Sequence, residues 1–136
     1  MLQLTYISSA RRDVGKDDVE KILSASRRNN ARDRITGLLV HDGRRFLQAL
    51  EGDAELVERC FARISQDDRH RAVVRLSQRE VRARAFGDWA MAYHIGAAAG
   101  DKASMVEAVD MLTAGISDAN TRELFRSFAR LERRAA

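Results

Sequence analysis

Apolar and polar side chains alternate from Leu2 to Ser8. Leu2, Leu4, Tyr6 and Ser8 fall on one side and Gln3, Thr5 and Ile7 on the other, the period-two pattern of a strand. From Lys16 or Asp17 the period lengthens to that of a helix, predicted to run to about Asn29. Its inward stripe is Val19, Ile22, Leu23 and Ser26, and Asn30 lies on nearly the same face. Ile35 to His41 reads as a second strand, Asp42-Gly43 as a hairpin turn, and Arg45 to Gly52 as a third strand antiparallel to the second. Asp53 can cap a second helix reaching about Ile64, with Val57, Cys60, Phe61 and Ile64 inward.

Further strands are predicted from Val73 to about Val81 and around Trp89, Met91 and Tyr93. A small-residue break follows at Gly96 to Gly100, and then two amphipathic helices near 101–114 and 118–133. Their stripes are Met105, Val109, Leu112 and Ile116, then Leu124, Phe125, Phe128 and Leu131. The order β-α-β-β-α-β-β, with two helices after it, predicts an α+β ferredoxin-like sandwich capped by C-terminal helices. The corresponding division is residues 1–96 as the main domain and 97–136 as a helical cap or output extension.

A chain of 136 residues, 45% hydrophobic and 32% charged, has the means to build a core under an ordinary polar surface. It has no apolar run of transmembrane length and no visible secretory leader, which argues against a membrane protein. The single cysteine, Cys60, cannot form an internal disulfide and fits a reducing, cytoplasmic setting. The formal charge of +4 comes from scattered arginines without a zinc motif, basic helix or aromatic-rich RNA motif, which argues against nucleic-acid binding. No Ser/His/Asp set, nucleophilic cysteine context or metal-ligand cluster marks an enzyme. Cys60, on an apolar helix face, reads as inert; His41, His70 and His94 are dispersed, and two of them, on predicted strands near turns, read as ordinary surface residues.

Candidate chemistry centres on Gln48. Alternation sets its amide between Phe46 and Leu50 on an apolar face, where it must find partners or cost roughly 1–3 kcal/mol. A primary amide both donates and accepts, and rotation exchanges the two roles. Tyr6 sits on the core face of the first strand, Asn30 on the inner face at the end of the first helix, and Trp89 and Met91 share a face of the fifth strand. Each has a plain structural reading: a core phenol bonded to a carbonyl, a helix C-cap, core packing. Together, two inward amides, a phenol and an indole suit a flat heteroaromatic ligand with donors and acceptors on its edge.

Several segments in order resemble the BLUF family of flavin-binding blue-light sensors. They are Thr5-Tyr6-Ile7-Ser8; Asn29-Asn30-Ala31-Arg32; Ile35-Thr36-Gly37-Leu38-Leu39; Phe46-Leu47-Gln48-Ala49-Leu50-Glu51-Gly52; Ile64-Ser65-Gln66-Asp67-Asp68-Arg69-His70; and Arg84-Ala85-Phe86-Gly87-Asp88-Trp89-Ala90-Met91. The resemblance covers about residues 2–96. It implies FAD, with FMN the alternative, held noncovalently between the two main helices, with Gln48 between Tyr6 and the ring and Asn30 on the ring's polar edge. Asn29 and Arg32 would lie nearby, and Asp67, Arg69 and His70 would meet the ribityl chain and phosphate. Arg69 suits an anion in charge and geometry, although a charged solvated loop is the plain reading of that segment.

The resemblance further implies that light draws an electron from Tyr6 and a proton through Gln48, leaving the amide rotated or tautomerised. Trp89 and Met91 would pass the signal on. With no output domain in the sequence, the expected recipient is a separate protein or a homodimer or higher oligomer. The competing reading is a ferredoxin-like ligand-binding or assembly domain without photochemistry.

Overall fold

The computed structural model describes residues 1–10, 16–68, 70–87, 92–95 and 102–130. Its elements are β1 (Leu2–Ala10), α1 (Lys16–Asp33), β2 (Thr36–His41), β3 (Arg45–Gly52), α2 (Ala54–Gln66), β4 (His70–Glu80), β5 (Ala92–Ile95), α3 (Lys102–Thr113) and α4 (Ala119–Arg130). The strands form one sheet in the order β4-β1-β3-β2-β5. β1 runs antiparallel to both β3 and β4, and β2 antiparallel to β3, whereas β5 joins β2 in parallel. The α+β class and the two C-terminal helices are as the sequence predicts.

Local chemistry fixes the joints. Asp42 Oδ1 accepts the backbone N–H groups of Arg44 and Arg45 at 2.9 and 2.7 Å, tying a short turn in which Gly43 takes φ 94°. Asp53 Oδ1 caps α2 by accepting from the N–H groups of Glu55 and Leu56 at 3.1 and 3.3 Å. At Gly37 of β2, a Cβ would lie 2.0 Å from the carbonyl oxygen of Ala49 on β3. Only glycine allows the two backbones to approach that closely.

The sheet is covered on both faces. On one, Leu4, Tyr6, Leu39, Phe46 and Leu50 pack with Ile22 and Leu23 of α1 and Val57 and Cys60 of α2. On the other, Leu38, Val40, Leu47 and Ala49 pack with Met105 and Val109 of α3, Ile116, and Phe125, Phe128 and Ala129 of α4. Every residue of β2 is buried, and all of β3 except Arg45. This double cover changes the meaning of alternation: the side of β3 away from Gln48 is a second interior.

Some predicted boundaries move. α1 continues to Asp33, so Asn30 lies within the helix rather than capping it. β4 begins at His70, which is therefore at the start of a strand rather than in a loop. His41 is buried, not a surface residue, and stacks on Phe46 with ring centroids 4.3 Å apart. Trp89, Met91 and the break at Gly96 to Gly100 lie outside the described residues, as does Leu131.

Candidate functional site between the two main helices

A cleft opens between α1 and α2 above the sheet. Ile22, Ala25, Ser26, Asn29 and Asn30 line it from α1, Tyr6, Leu39 and Gln48 from the strands, and Cys60, Arg63 and Ile64 from α2, with Asp67 just after that helix. Its cavity measures about 120 Å³, smaller than the ~300–1,000 Å³ typical of small-molecule sites.

At the floor, Tyr6 and Gln48 are directly opposite one another in the β1–β3 ladder. The Tyr6 hydroxyl donates to Gln48 Oε1. Both residues are almost fully buried, at 1% and 3% exposure. Burial first, with lesser electrostatic contributions from Cys60 and Asp67, pushes the Tyr6 phenol well above its ordinary value, so the hydroxyl keeps its proton. The edge of the Phe61 ring meets Tyr6 with centroids 5.4 Å apart.

Asn30, 1% exposed, comes from the last turns of α1. Its Oδ1 accepts from the Cys60 thiol at 3.7 Å. Burial raises the Cys60 pKa, so the sulfur stays a thiol and a donor. Cys60 thus belongs to the pocket wall rather than to an inert helix face.

At the mouth, Asn29 and Asp67 line the cleft as expected, but Arg32 does not. Arg32 is largely exposed and pairs with Asp33, its Nε and Nη2 donating at 3.0 and 3.2 Å. That pair holds the Asp33 carboxyl below the ordinary carboxylate range. Among the described residues, the arginine that lines the cleft is Arg63, which stands 3.7 Å from Asp33. Sequence reasoning passed over it as one of many helix arginines; its place one residue before the inward Ile64 was the available signal. Arg69 and the side chain of His70 lie outside the described residues.

The donor set matches the group that the resemblance implies. Ile22, Ala25, Leu39 and Ile64 can sandwich a flat apolar ring. Asn30 and Gln48 bring amides, and Arg63 and Asn29 further polar groups, to the same cleft. Among the described residues, no group of His, Cys, Asp and Glu could hold a metal ion, and no helix is long and apolar enough to cross a membrane.

Comparison with known proteins agrees with this geometry. The family profile described as "BLUF: Sensors of blue-light using FAD" matches residues 1–92. The chain is 36% identical over 89 residues to the photoactivated adenylate cyclase subunit beta of Euglena gracilis, an overlap of 65% of this chain but only 10% of that protein. The structure of BlrB, titled as a BLUF protein in its dark state, superposes with a TM-score of 0.74 at 30% identity, covering 94% of both chains. Klebsiella pneumoniae BlrP1 with FMN and cyclic diGMP gives a TM-score of 0.79 at 28% identity, covering 95% of this chain and 34% of that one.

Proposed function

The chain belongs to the BLUF family, sensors of blue light using FAD, and on that premise we propose that Tyr6 and Gln48 are its photochemical relay. A BLUF domain is a sensor rather than an enzyme. FAD is the family's cofactor, and FMN is the flavin named with BlrP1. The observation that carries the assignment is the buried bond from the Tyr6 hydroxyl to Gln48 Oε1 on the floor of the cleft.

When bound, the flavin supplies absorption of blue light and an acceptor for an electron. The chain supplies the rest. Tyr6 is neutral and desolvated, so its proton leaves only together with an electron. Gln48 Oε1 is the atom placed to receive that proton. The amide can then turn and present the opposite donor–acceptor order to the cleft. Asn30, with its oxygen held by Cys60, fixes the ring edge, and Asn29 and Asp67 hold the polar substituents. Arg69 and His70 complete this reading at the phosphate, with Arg32 outside it. Trp89 and Met91 carry the change outward, residues 97–136 serve as cap and output extension, and the recipient is a partner protein or another copy of the chain, in the cytoplasm.

Absorption spectra in the dark and after blue light test the assignment. The flavin-loaded protein is expected to show a reversible red shift. Gln48→Leu and Tyr6→Phe should each retain flavin and lose the shift. A normal shift in either variant removes that residue from the relay, and a protein that binds no flavin defeats the reading as a whole.

A further inference from the structure

Beyond the pocket, a buried group that accepts from four hydrogen-bond donors lies on the opposite face of the same two strands. Gln3 is opposite Glu51 in the β1–β3 ladder, as Tyr6 is opposite Gln48. Glu51 is fully buried. Its Oε2 accepts from Gln3 Nε2 at 3.3 Å and from the Ala85 N–H at 2.9 Å. Its Oε1 accepts from Thr36 Oγ1 at 2.8 Å and from the Phe86 N–H at 2.9 Å. Because a carboxylate only accepts, it orients the Gln3 amide: the nitrogen must face Glu51 and the oxygen must face away. That oxygen meets α4, where it accepts from Thr121 Oγ1 at 3.0 Å.

Thr121 has one hydroxyl proton and a second acceptor in reach, Asp118 Oδ2 at 2.7 Å. It serves one acceptor at a time. Bonded to Gln3, it ties the first turn of α4 to the sheet; bonded to Asp118, it folds back into the helix cap. Asp118 has other partners as well: it accepts the Thr121 N–H at 2.8 Å and pairs with Arg79 at 2.5 Å.

We propose that Gln3 and Thr121 form a latch through which the pocket addresses α4 by way of β1. The inference rests on the photosensor reading above. Rearrangement of the Tyr6–Gln48 bond alters one rung of a ladder in which Gln3–Glu51 lies three rungs along, on the other face. The shift in Gln3 Oε1 releases the Thr121 hydroxyl to Asp118 and loosens the first turns of α4, a two-state element biased by the pocket.

Amide hydrogen exchange on the FAD-loaded chain tests this. In the wild type, light should speed exchange in residues 119–125 by about three- to tenfold, the effect of one lost hydrogen bond. Thr121→Val keeps the shape but loses the proton for both acceptors, so dark exchange there should already stand at or above the lit level, with less than about a twofold further change on illumination. Thr121→Ser should restore the wild-type difference. All three proteins should show the same flavin red shift, because Thr121 lies across the sheet from the cleft. A Thr121→Val protein with the full light-dependent change overturns the latch. A wild type whose spectrum shifts while exchange in α4 stays fixed overturns the latch and leaves the photosensor reading standing. A wild type with no spectral shift overturns both.

Discussion

Glu51→Gln is the most searching test of the interior on the far side of the sheet. The substitution changes almost no volume and replaces one carboxyl oxygen with an NH₂ group. Each oxygen of Glu51 accepts one backbone N–H, from Ala85 or from Phe86. The Thr36 hydroxyl can turn and the Gln3 amide can flip, but a backbone N–H has no such freedom. Whichever way the new amide points, one backbone donor faces another donor. The loss is one hydrogen bond to a charged group, about 1.5–3 kcal/mol, with the stranded N–H already inside that figure. With a urea slope of roughly 1–3 kcal/mol/M for a domain of this size, the midpoint should fall by on the order of 1 M. Urea titration followed by circular dichroism, with the slope held in common, reads this directly. A loss under about 0.5 kcal/mol, the level of an unremarkable surface change, would refute the donor count on which the estimate rests.

Two further outcomes follow from the geometry. Gly37→Ala should lower stability by the upper part of the ~1–3 kcal/mol overpacking range or more, since a backbone carbonyl 2.0 Å away cannot step aside. Gly115→Ala, with nothing within 4 Å of the added carbon, is the control and should stay within about 0.5 kcal/mol; equal melting temperatures for the two would contradict the close approach of β2 and β3. Asp118 is held below the ordinary carboxylate range by the Thr121 side-chain bond first, then the Thr121 N–H and Arg79. A depressed carboxyl stabilises the fold fully above its ordinary value of about 3.9 and loses that contribution as pH falls through the lowered one. The stability gap between wild type and Asp118→Asn should therefore narrow in acid, as measured by urea titration from pH 7 downward; a gap independent of pH would show that the charge of Asp118 is immaterial.

Much of the fold was legible because its signals are local. Alternation placed Tyr6 and Gln48 on one face, and the ladder sets them opposite each other. Helical spacing brought Asn30 inward, although the helix that carries it runs past its apparent end, since neither Asn30 nor the residues to Asp33 break it. What escaped notice depended on contacts distant in sequence. Glu51 gave no signal of its own, because nothing in its neighbourhood announces that α3 and α4 cover that side. Cys60 looked like apolar packing because its partner, Asn30, is thirty residues away in another helix. Arg32 and Arg63 were indistinguishable as types; the nearer carboxylate, Asp33, engages the first and leaves the second at the cleft.

The two interiors also constrain how this chain can vary in length. Gln48 and Glu51 are three positions apart on β3, an odd interval, which is why they serve opposite faces. One residue inserted between them would make the interval even. The amide and the carboxylate would then share a side, stripping either the cleft of its relay or the far interior of its anchor. The same holds for Gln3 and Tyr6 on β1. Change in length is therefore confined to joints such as the Asp42–Arg44 turn, where the Asp42 side chain rather than the ladder holds the backbone. In this strand pair, the parity of the spacing matters to both interiors as much as the side chains themselves.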